Sequence, residues 1–388
     1  MRAHVFNQDS GKSGRRWRLV AIVGVLVALL GAGAGAMALP GVISGGPPTA
    51  VPQPGSQDSP TALVVGSEDG LPTPVANWQP DETPIPPTAI ATGVVGTPPP
   101  TASPSPTPSP SGDDVTSVLL MGYGGPGHPG SYLTDTIILA VLNRTRQTIV
   151  LFSLPRDIWV SLPLGQGQLY WSKLNTAYSY GTLDVFPNRP ARYRGASGGG
   201  NLAKDVVGKI LDYPIQSYAA LDFATFRQAI DEVGGIDVDV AQSFTSGSTR
   251  FEAGEQHLDG TKALEFARAR EDLNNPSEES DFARSRRQRQ IVSAFLARLR
   301  SPSGLLHLVP LIGLARSGVN TDYQLPSVGA LASLVGDSGK YRIVEGALTS
   351  SDYLRSASGP NGTYILLPRA GASQWAEVQA YFRSLLAK

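Results

Sequence analysis

Asp135 stands at the mouth of an apolar run, LTDTIILAVLN, directly behind the glycine-rich stretch MGYGGPGHPGSY. A carboxylate at a strand end, beside a loop whose backbone can approach a ligand closely, suits a hard divalent cation such as Mg²⁺. A plain flexible turn is the competing reading of the glycines, and they make no nucleotide fingerprint, because the next element is a strand rather than a helix and no P-loop lysine follows. Arg156 and Asp157 come after a proline where the strand-like LFSLP leaves its sheet. Successive side chains of an extended segment point to opposite faces, so these two are expected to take separate partners rather than pair with each other. Lys173 lies in an apolar and aromatic setting, SKLNTAYSYG, where a snorkelling surface lysine is the ordinary alternative. Arg268 and Arg270 are two apart. On a helix they would diverge by about 200°, whereas in extended chain they share a face and suit a bidentate grip on phosphate oxygens.

The densest cluster is SDFARSRRQRQ, with Arg284, Arg286, Arg287 and Arg289 ahead of Ile291, Val292, Phe295, Leu296 and Leu299. The apolar spacing predicts a helix with Asp281 at or near its start. Arg284, Arg287 and Gln288 then form one stripe at i, i+3 and i+4, while Arg286 and Arg289 point elsewhere. Cations in a first turn oppose the helix dipole unless an anion sits with them. Two readings compete, a solvated helix face and a site that holds a polyanion.

These side chains need a rigid frame, and regular hydrophobic periodicity runs from Asp113 almost to the end. TSVLLMG reads as a buried strand, and DTIILAVLN and TIVLFSLP, joined by RTRQ, read as a hairpin. Leu202, Val206, Val207, Ile210 and Leu211 recur at helical spacing after the glycines at 198–200, as do Phe223, Phe226, Ile230 and Val233 before a double glycine. IDVDV alternates as a strand, and HLDGTKALEF starts a helix behind Asp259 and is expected to end near Phe266. Strands alternating with helices predict an α/β layer fold, a central mixed β-sheet flanked by helices. The strand-like TYILLP and the helix WAEVQAYFRSLL are expected to add to the edge of the same core.

The remainder is not globular. Residues 44–112 are a Pro/Ser/Thr/Gly mixture, expected to be an extended, disordered spacer. Leu19 to Leu39 carries no charge and is long enough to cross a bilayer. Lys12, Arg15, Arg16 and Arg18 precede it, and Asp9 is the only acid before Asp58, which puts residues 1–18 in the cytoplasm and the bulk of the chain outside the cell membrane. A cleaved signal peptide is the rival reading. The expected organisation is therefore a basic N-terminus 1–18, an anchor 19–39, a linker 44–112, a catalytic domain 113–345 and a strand-helix addition 346–388. The chain has no cysteine, which excludes disulfides and thiolate chemistry. Lysine plus arginine number 32 against 32 acids, so the whole chain gives no support to nucleic-acid binding. His257 and His307 lack metal-like spacing.

In order, spacing and wording, LTDTIILAVLN, LFSLPRDIWVSLP, KLNTAYSYG, DFATFRQAIDEVGGIDVDV, HLDGTKALEFARARE and SDFARSRRQRQIV resemble the LytR-CpsA-Psr family, over roughly Val115 to Arg300. The resemblance implies a single-pass, outward-facing envelope enzyme that moves a glycan polymer from a polyprenyl-pyrophosphate carrier onto peptidoglycan or another acceptor. It implies Mg²⁺, or Mn²⁺ in its place, on Asp135. It implies that Arg156, Lys173, Arg268, Arg270, Arg284 and Gln288 hold the pyrophosphate, with Asp281 organising the site, and that a hydrophobic cleft takes the lipid tail. Many members carry an aspartate and an arginine in the loop that here reads GYGGPGH, and an arginine where YLTD has none, so a second acid is missing and His128 or backbone carbonyls are the substitutes. The rivals are a non-catalytic binder of anionic glycans or lipid headgroups, a pyrophosphate hydrolase, and a transcription regulator, which the expected topology opposes.

Overall fold

The computed structural model describes residues 74–76, 115–128, 130–165, 167–269, 280–323 and 338–388. The strands in chain order are β1 (Val75–Ala76), β2 (Val115–Tyr123), β3 (Thr134–Asn143), β4 (Thr148–Ser153), β5 (Trp159–Leu162) and β6 (Tyr170–Lys173). They continue with β7 (Ser217–Asp222), β8 (Ile236–Val240), β9 (Phe244–Ser246), β10 (Thr249–Phe251), β11 (Gly254–Leu258), β12 (Val319–Thr321), β13 (Arg342–Ala347), β14 (Leu354–Ser358) and β15 (Tyr364–Pro368). The helices are α1 (Thr176–Thr182), α2 (Gly198–Leu211), α3 (Phe223–Glu232), α4 (Gly260–Arg268), α5 (Ser280–Arg300), α6 (Leu308–Gly318) and α7 (Ala376–Leu386).

A six-stranded mixed sheet in the order β12-β7-β2-β3-β4-β13 is the frame. β3 pairs antiparallel with β2 and with β4, the hairpin expected from the two β-branched runs, while β7 runs parallel to β2 and β13 parallel to β4. Alternate residues of these strands enter two cores. Val118, Leu120, Ile138 and Leu151 pack on one face with Phe226, Phe266, Ile291, Phe295 and Leu311 of α3 to α6. Leu119, Met121, Leu139 and Phe152 pack on the other with Tyr178, Val207, Phe382 and Leu385 of α1, α2 and α7. Burial on both faces is why the sequence of β3 reads as one apolar run. Each large side chain so enclosed contributes roughly 1.5–3 kcal/mol.

Local signals set the helix ends. The Asp222 and Asp259 carboxylates cap α3 and α4 by accepting from Thr225 N and Lys262 N, both at 2.8 Å. Behind α3, Gly234 and Gly235 have φ of +76° and +85°, and Gly235 N donates to Ile230 O at 2.9 Å, closing the helix. The glycines at 198–200 lie inside the first turn of α2 rather than before it. A Cβ on Gly198 would stand 2.4 Å from Gly181 O, so the glycines let α1 and α2 meet backbone to backbone.

The C-terminal part joins the same core as expected, through Leu366, Val378, Phe382 and Leu385, but its strand TYILLP is not part of the central sheet. β15 pairs only with β14 in a separate hairpin, bridged to the rest at Ile158 and Leu366. The edge strand added to the central sheet is β13, inside which the boundary at 345–346 falls. β1 lies within the stretch expected to be a disordered spacer, yet it pairs antiparallel with β6, Val75 with Trp171 and Ala76 with Tyr170. Val75 is β-branched and meets a free strand edge there, which offsets the polar, proline-rich composition around it. Residues 1–73, which include the expected anchor 19–39, lie outside the described residues; among those described, no helix is long and apolar enough to cross a membrane.

Candidate active site

The site is built where β3 begins, β4 ends and β6 ends. Thr134 and Asp135 open β3, and Pro155 turns the chain sharply after β4, so Arg156 and Asp157 occupy a turn. In that turn the two side chains lie on one side, and Arg156 Nε donates to Asp157 Oδ2 at 3.2 Å. The expectation that they would avoid each other fails because the segment is not extended. Each has a second partner as well. Arg156 Nη1 is paired with Asp135 Oδ1, and Lys173 Nζ, at the end of β6, donates to Asp157 Oδ1 at 2.6 Å.

The result is an unbroken chain of charge, Asp135 to Arg156 to Asp157 to Lys173, drawn from three separate segments. The acids are the buried members: Asp135 is 8% and Asp157 4% exposed. The cations keep an open edge, with 18% of the Arg156 and 19% of the Lys173 side chain accessible. Burial alone would raise the Asp157 pKa, but Arg156 beside it, together with Lys173, holds the carboxyl below the usual aspartate range. Asp157 is thus an anion that aims two cations, with both oxygens occupied.

Those cations face a cavity of about 470 Å³ lined by Arg156, Asp157, Lys173, Leu133, Trp159 and Asn175 among others. Two distant segments complete its wall. Val75 of β1 is one, and the turn Pro360–Thr363 between β14 and β15 is the other, so the C-terminal addition reaches the site through this turn rather than through α7.

The remaining residues assort differently. α4 runs two residues past its expected end at Phe266, because Ala263, Leu264, Phe266 and Ala267 are all buried against the core. Arg268 therefore belongs to the last helical turn, not to an extended chain, and its guanidinium lies over the Phe223 ring at 5.0 Å. Arg270 lies outside the described residues. Asp281 is the second residue of α5, in the first turn as expected, but its side chain is also outside them. Arg284, Arg287 and Gln288 do form one face of α5, and it is an interior one, with Arg284 2%, Arg287 5% and Gln288 4% exposed. Arg287 donates to Ala269 O at 3.0 Å and covers the Phe244 ring at 4.4 Å. Arg289 is paired with Glu345 at 2.7 Å and donates to Ser153 Oγ at 3.0 Å. Arg289 thus has an acid of the chain itself as its partner. Ser153 stands three residues before Arg156, so this half of α5 crosses the same end of the sheet as the cavity.

The glycine loop is held by packing. Gly125 has φ +91°, and a Cβ there would meet Asp222 Cβ at 2.9 Å. His128 sets its ring edge on Phe223 at 5.3 Å. Tyr123 behind the loop is pushed up to about 12, by burial first and then by Asp222, so it is a neutral phenol. Among the described residues no three His, Cys, Asp or Glu side chains converge on a metal position. Among the described residues, Asp135 is the acid that would hold a cation, in the manner of Mg²⁺ sites that use one or two carboxylates and take their other oxygens from substrate phosphates and water.

Reading the residues one by one missed Asp157 as the link and Asn175 as a wall. The adjacency of Arg156 and Asp157 behind a proline was the signal for the first.

An α/β sandwich with a cation-lined cavity at one end of its sheet is the class this geometry defines. The profile of the LytR_cpsA_psr family matches residues 98–371, and the chain belongs to that family. It is 32% identical over 265 residues to a Bacillus subtilis protein named polyisoprenyl-teichoic acid–peptidoglycan teichoic acid transferase TagV, covering 66% of this chain and 61% of that one. An Oceanobacillus iheyensis transferase of the same type, TagU, is 31% identical over 198 residues, 51% of this chain and 56% of that one. The chain thus spans less than two thirds of the length of these relatives. The crystal structure of B. subtilis TagV superposes with a TM-score of 0.53 at 29% identity, covering 71% of this chain and 98% of that one.

Proposed function

We propose that the chain transfers a phosphoryl-linked glycan polymer from a polyprenyl-pyrophosphate carrier to a hydroxyl of a cell-wall acceptor, peptidoglycan or another glycan. The observation that carries this is the pair of half-open cations, Arg156 and Lys173, held at the cavity rim by one buried acid. The relatives' names, which specify polyisoprenyl-linked donors and peptidoglycan acceptors, support the same class of reaction.

In this reading the acceptor oxygen attacks the phosphorus that bears the glycan. A new phosphodiester forms, the bond to the bridging oxygen breaks, and polyprenyl phosphate leaves as the hydroxyl loses its proton. Such a reaction asks mainly for charge neutralisation and positioning. Arg156 and Lys173 supply fixed positive charge along one edge of the diphosphate, without reorganisation, because Asp157 has already aimed them. Arg268 of α4, Arg270 two residues on in sequence, and Arg284 and Gln288 of α5 are proposed to complete the grip, with Asp281 organising that side. Asp135 would hold Mg²⁺, or Mn²⁺, which when bound draws charge from the phosphate oxygens. A carrier that stays in the bilayer accounts for an anchor at residues 19–39 and an extracytoplasmic site, both proposed from the sequence.

The test is to supply the full chain with a prenyl-pyrophosphate-linked oligosaccharide, a peptidoglycan acceptor and Mg²⁺, and to follow polyprenyl phosphate release together with labelled acceptor. Joint appearance of both products, lost in Asp135→Ala, supports transfer. Phosphate release equal with and without acceptor would instead make the chain a hydrolase, and tight binding without turnover would make it a binder.

A further inference from the structure

Asn175 stands directly before the first residue of α1, where an asparagine side chain ordinarily accepts from a backbone N–H of the first turn. It makes no such bond. A capping residue has extended backbone, whereas Asn175, with φ −63° and ψ −17°, is already helical, and its amide is left for another use. The residue is 6% exposed and lines the same cavity as Arg156 and Lys173. Its Oδ1 is enclosed without a hydrogen-bond partner, so the end of the side chain that meets the cavity is the NH2 group.

The main chain of the same residue fixes where that donor lies. Asn175 N donates to Arg156 O at 3.1 Å, and Asn175 O accepts from Thr134 N at 3.1 Å and from Thr134 Oγ1 at 3.3 Å. Asn175 is thus clamped between the segment that carries Asp135 and the turn that carries Arg156. All three bonds use its backbone atoms, so they survive a change of side chain. An amide NH2 has two hydrogens to give and accepts none. The oxygens of a diphosphate are the converse, strong acceptors, and the two cations of the same cavity draw them in.

We propose that Asn175 Nδ2 donates a hydrogen bond to a phosphate oxygen of the carrier diphosphate, as the neutral member of a clamp whose charged members are Arg156 and Lys173. This rests on the transferase reading above and adds a residue to the recognition of its donor substrate. The two kinds of member work differently. The cations attract the diphosphate through a field that salt screens, whereas a neutral donor acts only at contact and fixes the direction of one oxygen.

The full chain, Asn175→Leu, Asn175→Ala and Arg156→Met are titrated calorimetrically with a short prenyl pyrophosphate at fixed Mg²⁺, over a series of NaCl concentrations. Leucine keeps the volume and removes the donor; alanine removes the donor without filling its place. Both are expected to bind at least about tenfold more weakly than the parent, the size of one hydrogen bond to a charged group. No charge has been removed, so this loss is the same at every salt concentration, whereas Arg156→Met loses most at low salt and its affinity depends on salt less steeply. The melting temperature of Asn175→Leu is expected to match or exceed that of the parent, since the backbone clamp remains and an enclosed unpaired oxygen is gone. Parental affinity in Asn175→Ala overturns the proposal and leaves the transferase reading intact. So does a loss that shrinks at high salt as in Arg156→Met, because Asn175 would then act only by supporting that arginine. A parent chain that binds no prenyl pyrophosphate brings both down.

Discussion

Two groups of arginines stand at the same end of the sheet and have been put to different uses. Arg156 sits in a turn at a cavity rim, flanked by two buried carboxylates and still partly open. Arg287 sits on an interior face of α5, donating from Nη1 to a main-chain carbonyl and laying its flat surface on an aromatic ring. Sequence presents both as cations beside apolar residues, but the first lines a cavity and the second is interior. A guanidinium packed in the interior against a main-chain carbonyl and an aromatic ring holds structure, whereas one aimed by an acid toward a cavity is ready for an anion.

The comparison can be broken most forcefully at the rim. Arg156→Met is expected to lower kcat/KM for transfer by about 10²–10³, the effect of removing one preorganised charge stabiliser, and to lower the melting temperature as well, because the buried Asp135 and Asp157 lose a partner; steady-state kinetics normalised to folded protein reads the first and thermal unfolding the second. Arg287→Met should also lose stability, about 1–3 kcal/mol of unfolding free energy with its buried hydrogen bond, but the folded fraction keeps most of its activity; denaturant titration with activity normalised to folded protein checks this.

Acid sharpens the same contrast. The Asp157 carboxyl is depressed in the folded chain, so its contribution is fully present above the ordinary aspartate value of about 3.9 and is lost as pH falls through the lower folded value. The stability of the parent is expected to hold from neutrality down to about that pH and then to drop, and Asp157→Asn should flatten the drop while lowering stability at neutral pH. Melting temperatures across an acid series measure it. The smallest effect belongs to β1: replacing Pro74–Ala76 by glycine and serine removes one cavity wall and should raise the KM for the prenyl-pyrophosphate donor with kcat and fold unchanged.

Much of the frame was legible because its causes are local. Two-sided burial wrote β3 as an unbroken apolar run, and Asp222, Asp259 and the 234–235 glycines marked the helix ends. Asp135, Arg156 and Lys173 could be picked out by residue type at element ends. Their mutual arrangement could not, since Pro155 converts an expected strand rim into a turn and places Arg156 and Asp157 on one side. The unpaired oxygen of Asn175 is a property of three-dimensional neighbours and leaves no trace in spacing. β1 was invisible for another reason: two strand residues vanish in the composition of a long proline-rich stretch.

Calorimetric titration of the full chain with a short prenyl pyrophosphate in Mg²⁺, comparing the parent with Arg156→Met and Arg287→Met, bears most directly on the rim as a diphosphate clamp. The expected result is an affinity at least about tenfold weaker for Arg156→Met, a difference of roughly 1.4 kcal/mol, and an unchanged one for Arg287→Met. Equal affinity in the parent and Arg156→Met would contradict it.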